Sequence, residues 1–115
     1  MTRAAKDGSL LLSELADAAC LRSNLFSGVI NGREAVKCAI EALDRQCPVQ
    51  KLIYRHSVGN REFILTEIRL ASGNLAQITT VGVRDECGWI GAIMQDCSPP
   101  AAALELSETV ATGLS

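Results

Sequence analysis

The side chains best suited to acid–base chemistry in this chain are His56, Tyr54 and Asp96. His56 is the only histidine and Tyr54 the only tyrosine. Histidine titrates near neutral pH, and burial raises the pKa of a carboxyl group toward the same range. We therefore predict Asp96 as a general base, with His56 or Tyr54 as its hydrogen-bond partner. The competing interpretation is an ordinary solvated Asp96 near a strand end and a surface His56.

The orientation of Asp96 follows from alternation along the last predicted strand. Successive side chains of a strand point to opposite faces, so Asp96 shares a face with Ile90, Ala92 and Met94. This row is apolar, and we expect it to face inward. Met94 is therefore predicted to contact a substrate beside Asp96.

Further contacts to a substrate are predicted from Phe63, Trp89 and Arg69. Aromatic side chains such as Phe63 and Trp89 can line a pocket, although they more often belong to a core or an interface. Arg69 shares a face with Glu67, and the favoured interpretation is an outer face with a cross-strand pair or a dimer contact. On a concave face, Arg69 would instead orient Asp96 or bind an anionic substrate.

Several kinds of site are excluded by spacing. The five cysteines contain no CxxC pair, and the scattered carboxylates do not approach a metal-ligand spacing. The glycines form no phosphate-binding motif. We expect no metal, no cofactor and no disulfide framework.

Size and charge set the broad class. The 115 residues suit one domain, and a net charge of -2 with interspersed signs gives no footprint for nucleic acid. No apolar run approaches the length that spans a bilayer, and the first residues lack a signal-peptide core. We expect a cytoplasmic protein without nucleic-acid or membrane partners.

Elements that would position these residues begin with two predicted helices. The first is capped by Ser9 and runs to Leu15, and the second starts at an Asn31 cap and runs to about Gln46. Pro48 marks the change to extended chain. Strands follow over 49–58, 62–71, 75–84 and 89–97, separated by turn residues. The pattern predicts an α+β domain with helices on one face of a mostly antiparallel, curved sheet.

The order of elements also resembles a known family. The phrase Asn31-Gly32-Arg33-Glu34-Ala35-Val36, the Gly28 loop before it and the Asp-x-x-Gly turn before Trp89-Ile90 are similar to the SnoaL-like members of the nuclear transport factor two-like superfamily. The resemblance covers about residues 9–98 of a single domain spanning 1–115, with 99–115 as a C-terminal tail. Ala101–Val110 of that tail are compatible with one weak helix.

The resemblance implies a cone in which a strongly curved sheet wraps around helices and leaves a pocket, commonly with dimerisation through the sheet. It implies two alternatives for function. The first is a cofactor-independent isomerase, cyclase, dehydratase or epoxide hydrolase acting on a small apolar molecule, and the second is a non-catalytic ligand-binding or homodimeric interaction module. The short first helix predicts that the pocket is more open than usual, or that the tail or a partner covers it.

Overall fold

The computed structural model of the chain describes residues 12–47 and 49–114. It contains a 3-10 turn followed by strands and two helices: Leu12–Glu14 (3-10), β1 Leu15–Ser23, β2 Val29–Asn31, α1 Arg33–Gln46, β3 Gln50–Val58, β4 Arg61–Arg69, β5 Leu75–Arg84, β6 Ile90–Ser98 and α2 Pro100–Leu114. This is the predicted α+β architecture. Ser9 and Pro48 lie outside the described residues.

The six strands form one curved, unclosed sheet in the order β2-β1-β6-β5-β4-β3. Strands β3 to β6 are an antiparallel meander, as predicted. β1 pairs with β6 in parallel and with β2 in antiparallel fashion, so the sheet is mixed. Sequence periodicity missed β1 as a long strand because its burial pattern is irregular.

Two predicted helix boundaries are wrong. Leu15 begins β1 instead of ending a helix, and Asn31 ends β2 instead of capping α1. Gly32 is the N-cap, with a φ of 97° that favours glycine, and its N–H donates to the Ala19 carbonyl at 2.8 Å. The start of α1 is therefore fixed by backbone pairing with β1, without a side-chain cap.

The apolar stripe of α1 packs on the inner face of the sheet, as its periodicity predicts. Val36, Ala39, Ile40 and Leu43 are all buried. They contribute to two core clusters, one with β1 and the start of β6, and one with the last residues of β6 and with α2. Burying a side chain the size of Val36, Ile40 or Leu43 contributes about 1.5–3 kcal/mol.

The C-terminal tail forms α2 and closes one end of the cone. Ala102, Ala103, Leu106 and Val110 are buried against the C-terminal half of α1 and the ends of the strands. The tail thus covers part of the core, and the prediction that it covers a pocket stays a prediction. Neither α1 nor α2, within the described chain, is long and apolar enough to cross a bilayer.

Candidate functional site

Two β-bulges determine which face the predicted site residues occupy. In β3, Leu52 pairs with Thr66 and Tyr54 with Leu65, so Ile53 is an extra residue. In β6, Ile90 pairs with Arg84 and Ala92 with Val83, so Gly91 is an extra residue. An extra residue shifts the alternation by one position and sends the following side chains to the opposite face.

The inward orientation predicted for Asp96 and Met94 is wrong for this reason. Ile90 is fully buried, but beyond Gly91 the buried positions of β6 are Ile93, Gln95 and Cys97. Asp96 and Met94 lie on the outer face of the sheet and are exposed. The catalytic role predicted for Asp96 would therefore have to be exercised at the outer surface.

His56 and Tyr54 share a face, as predicted, and it is the outer one. Both are exposed, their ring centroids lie 6.0 Å apart, and the rings are tilted by 35°. His56 pairs with Phe63 across the strands, and Tyr54 pairs with Leu65. Together with Val58 and Thr79, these residues line a shallow apolar groove of about 390 Å³.

The pair proposed for acid–base chemistry does not meet. His56 lies on β3 and Asp96 on β6, three strand spacings apart, which is roughly 14 Å. Direct proton transfer needs about 3 Å between heavy atoms, or one bridging water. The structure brings together His56, Tyr54 and Phe63, and it leaves Asp96 apart from them.

The other predicted contacts are dispersed. Arg69 and Glu67 share the outer face, as the favoured interpretation had it, and they pair with Leu75 and Gln77 of β5; a cross-strand pair or a dimer contact of these two charges stays a prediction. The Arg69 guanidinium donates to the Gly73 carbonyl at 3.4 Å. Trp89 lies in the turn before β6, is 45% exposed and does not line the groove.

We use the name outer patch for the mainly apolar group of side chains that β3 to β6 present on the face away from the helices. Its centre is formed by cross-strand neighbours in register, such as Phe63 with Val81 and Val81 with Met94. Exposure of its large members is high, at 51% for Tyr54, 56% for Val58 and 39% for Met94. The outer patch comprises Tyr54, His56, Val58, Phe63, Leu65, Thr79, Val81, Val83, Ala92 and Met94.

The inner face carries a second group of polar side chains that the sequence did not single out as a site. Thr66, Thr80 and Gln95 are buried on neighbouring strands, with exposures of 4%, 3% and 8%. Gln95 Nε2 donates to Thr80 Oγ1 at 3.4 Å, whereas Gln95 Oε1 accepts no hydrogen bond from any described residue. In a sequence, such a group can be recognised as a polar residue within an otherwise apolar strand face. Regular alternation assigned Gln95 to the other face, because it does not reveal the bulge at Gly91.

This polar group borders a cavity between the sheet and the C-terminal half of α1. Its free volume is about 10 Å³, which is the space of about one water molecule. In this form it is too small for the apolar substrate predicted for the cone. Its lining residues are Ile40, Leu43, Asp44, Cys47, Gln50, Thr66, Ile68, Ile78, Thr80 and Gln95.

An ion-pair network lies at the opposite end of the cone. Arg84 contacts Glu14 at 2.6 Å and Glu62 at 3.3 Å, and Glu62 also contacts Arg55 at 3.0 Å. The hydrogen bond that Arg84 donates to the Glu14 carboxylate raises the pKa of Arg84, while burial opposes the shift. The network connects Glu14, in the segment before β1, to strands β4 and β5. We call it the clamp, and its role is structural because each of its charges is paired with an opposite charge.

The cysteines show no sign of reactivity at the core positions. Cys47 and Cys97 are buried, and burial is the main cause that raises the pKa of Cys47 to about 12 and that of Cys97 to about 11. Both are therefore neutral thiols at physiological pH. In the described part of the chain, no three His, Cys, Asp or Glu side chains are grouped so that they could hold a metal ion.

Solved structures share this arrangement of elements. The chain superposes on a steroid delta-isomerase from Pseudomonas aeruginosa with a TM-score of 0.84 and 17% identity, covering 96% of this chain and 82% of that one. An uncharacterized protein with a cystatin-like fold from Silicibacter pomeroyi gives a TM-score of 0.81 and 14% identity, covering 92% and 74% of the two chains. The chain has the cystatin-like cone fold.

The cystatin-like fold is shared with SnoaL-like proteins, which confirms the resemblance drawn from the sequence. One of them, from Jannaschia sp., gives a TM-score of 0.64 and 12% identity, covering 83% of this chain and 74% of that one. The sequence itself matches no protein-family model and no curated protein. At these identities the likeness establishes the fold alone.

Proposed function

We propose that the chain is a homodimeric interaction module in which the outer patch of one protomer contacts the outer patch of a second copy. The observation that carries this proposal is the exposure of the outer patch across four adjacent strands, with Tyr54, Val58 and Met94 between 39% and 56% exposed. Contiguous apolar surface of this extent is typical of interaction sites.

The dimensions of the face support a second copy as the occupant. Strands of nine or ten residues are roughly 30 Å long, and four of them are roughly 19 Å wide. The flat area is then about 600 Å² per protomer, and two such faces reach the lower end of the roughly 1,200–2,000 Å² in total that stable interfaces bury. A face of this size suits a stable pairing of two domains.

The charges around the outer patch also favour self-association. Arg61 and Arg69 occupy the two ends of β4 on this face, and Glu67 and Asp96 lie between them on β4 and β6. A two-fold axis places a residue of one patch opposite another residue of the partner's patch, so basic residues of one protomer can face acidic residues of the other. A rim that carries both positive and negative charges can therefore pair with a second copy of itself. A purely basic or purely acidic rim would repel a second copy.

The separation of His56 from Asp96 favours this non-catalytic alternative over an isomerase, cyclase, dehydratase or epoxide hydrolase that uses both residues. A general base acts only within hydrogen-bond reach of the proton that it removes. In a homodimer, Tyr54 and His56 would act as binding residues of the contact surface, with Phe63 between the strands as its apolar floor.

The test is the molar mass in solution at micromolar concentration, measured by sedimentation or light scattering. The wild-type chain should give twice its protomer mass of 12.2 kDa. Met94→Glu places an uncompensated charge in the outer patch and should yield monomers. Leu104→Glu is the matched control, since Leu104 is 63% exposed on α2, away from this face, and it should leave the dimer intact. A wild-type chain that sediments as a monomer, or a control as disruptive as Met94→Glu, would contradict the proposal.

A second candidate function is favoured by the groove at Tyr54, His56 and Phe63. Its volume of about 390 Å³ lies within the usual range of small-molecule sites, and its lining is mainly apolar. Binding of a small apolar molecule there fits the similarity to a steroid delta-isomerase. Thermal shift with a panel of steroids would show saturable stabilisation that His56→Ala weakens, and no stabilisation by any of them would exclude this class of ligand.

A further inference from the structure

The long strand β3 lies at one edge of the sheet. It pairs only with β4, whereas the strand at the opposite edge, β2, has three residues. In an antiparallel pair, alternate residues direct their backbone N–H and C=O groups toward the neighbouring strand, and the residues between them direct theirs away. About half of the backbone groups of Gln50–Val58 therefore point to the open side, where no described strand pairs with them. Such a row is a template for a further strand.

The second half of β3 is accessible from both faces and from the edge. Every residue over 53–58 is exposed, including the large side chains of Ile53, Tyr54 and Val58. This half contains neither proline nor glycine, the residues that most often interrupt strand pairing. Regular pairing with β4 beyond the bulge already holds it extended. A strand that is held in its binding conformation loses little entropy when an extended peptide pairs with it.

The charges of β3 indicate the chemistry of such a peptide. The strand contains Lys51, Arg55 and His56 but no acidic residue. Lys51 forms no ion pair with any described residue, and Arg55 shares the Glu62 carboxylate with Arg84. Pairing of this edge with the same edge of a second copy would bring these cations into one ladder, and like charges directly opposite each other destabilise a strand pair. The edge therefore disfavours a second copy and favours an acidic strand.

We propose that the free edge of β3 binds an extended acidic peptide of a partner protein, which joins the sheet as a further strand. Beyond its bulge, β3 presents Tyr54, His56 and Val58 on the outer face, whereas Arg55, the cross-strand neighbour of buried Ile64, lies on the inner face. Apolar side chains of the added strand lie beside Tyr54 and Val58, and an acidic side chain lies beside Arg55. The peptide therefore alternates apolar and acidic residues. This site uses the edge of the sheet and does not depend on dimerisation through the outer patch.

The experiment is an NMR titration of the isotope-labelled chain with a capped peptide of alternating valine and glutamate, about eight residues long to match one strand. Saturable shifts should be confined to β3 and β4. Amide exchange should slow at alternate residues of Gln50–Val58, those whose N–H groups point away from β4. Two matched peptides serve as controls: the same sequence methylated at every peptide nitrogen cannot form the ladder, and alternating valine and lysine carries the opposite charge. Neither should bind.

Variants of Arg55 test the contribution of charge. Arg55→Gln should raise the Kd of the valine–glutamate peptide several-fold and reduce its dependence on salt, whereas Arg55→Lys keeps the charge and should retain most of the affinity. Lys37→Gln is the matched control, since it removes an exposed cation on α1, and it should leave the Kd unchanged. The proposal is overturned if the acidic peptide gives no saturable shift with the folded chain, if the shifts lie away from β3, if either control peptide binds as tightly, or if Arg55→Gln binds like wild type.

Discussion

Where β1 ends, the side chain of Asn24 takes the place of backbone hydrogen bonds to β6. Removing this side chain tests how much that link contributes to the stability of the fold. Asn24 Nδ2 donates to the Cys97 carbonyl at 2.9 Å, and the Cys97 N–H donates to Asn24 Oδ1 at 2.9 Å. The two bonds imitate one more residue pair of the parallel β1–β6 ladder. They join segments 73 positions apart in the chain, next to the start of α2.

Asn24→Ala removes both bonds and should destabilise the fold. A net contribution of about 0.5–1.5 kcal/mol for each bond gives about 1–3 kcal/mol. Asn24 itself is exposed, so water can replace part of the loss, and the expected cost is about 1–2 kcal/mol. Tm should fall by about 4 to 8 °C, at about 4 °C for each kcal/mol in a domain of this size.

Urea unfolding followed by circular dichroism measures this cost, with an unchanged m-value as the sign that only stability has changed. Asn24→Asp is the matched control, because it keeps the acceptor for the Cys97 N–H and loses the donor to the Cys97 carbonyl. It should fall between wild type and Asn24→Ala. A loss below about 0.5 kcal/mol in Asn24→Ala would refute the role assigned to this side chain, since that is the range of neutral surface substitutions.

Three further predictions concern the thiols, the start of α1 and the clamp. Unfolded thiols ionise near their ordinary pKa of 9.0, whereas folded Cys47 and Cys97 ionise near 12 and 11. Stability should therefore be intact below pH 9 and fall between pH 9 and about 12 in thermal melts, and Cys47→Ala should flatten that fall. Gly32→Ala should lower the free energy of unfolding by about 1–2 kcal/mol because of its positive φ, whereas Gly91→Ala, with no positive φ and open space around its Cα, should cost less in the same urea assay. Glu14→Gln should cost less than about 1 kcal/mol at low salt and less still at high salt, since Glu14 is 42% exposed in its ion pair.

Local sequence determined most of the secondary structure. The stripe of Val36, Ala39, Ile40 and Leu43 predicted α1, and turn residues separated the strands of the meander at nearly their observed ends. These signals are local, because helical and strand periodicities are set by backbone geometry within a few residues. The full length of β1 was not predicted, since its parallel pairing with β6 depends on residues far away in the chain.

Sequence alone also determined that the strands of the meander have two unlike faces, and that Tyr54 and His56 share one of them. Only the tertiary structure decided which of the two faces packs against the helices and which is exposed. Ile53 and Gly91 are each accommodated as an unpaired extra residue, and the bulge at Gly91 reverses the alternation in β6 on which an inward Asp96 depended. A bulge is a property of two paired strands, in which two residues of one strand oppose one residue of the other, so the alternation of one strand alone does not reveal it. For that reason Gln95 entered the core and His56 the outer patch.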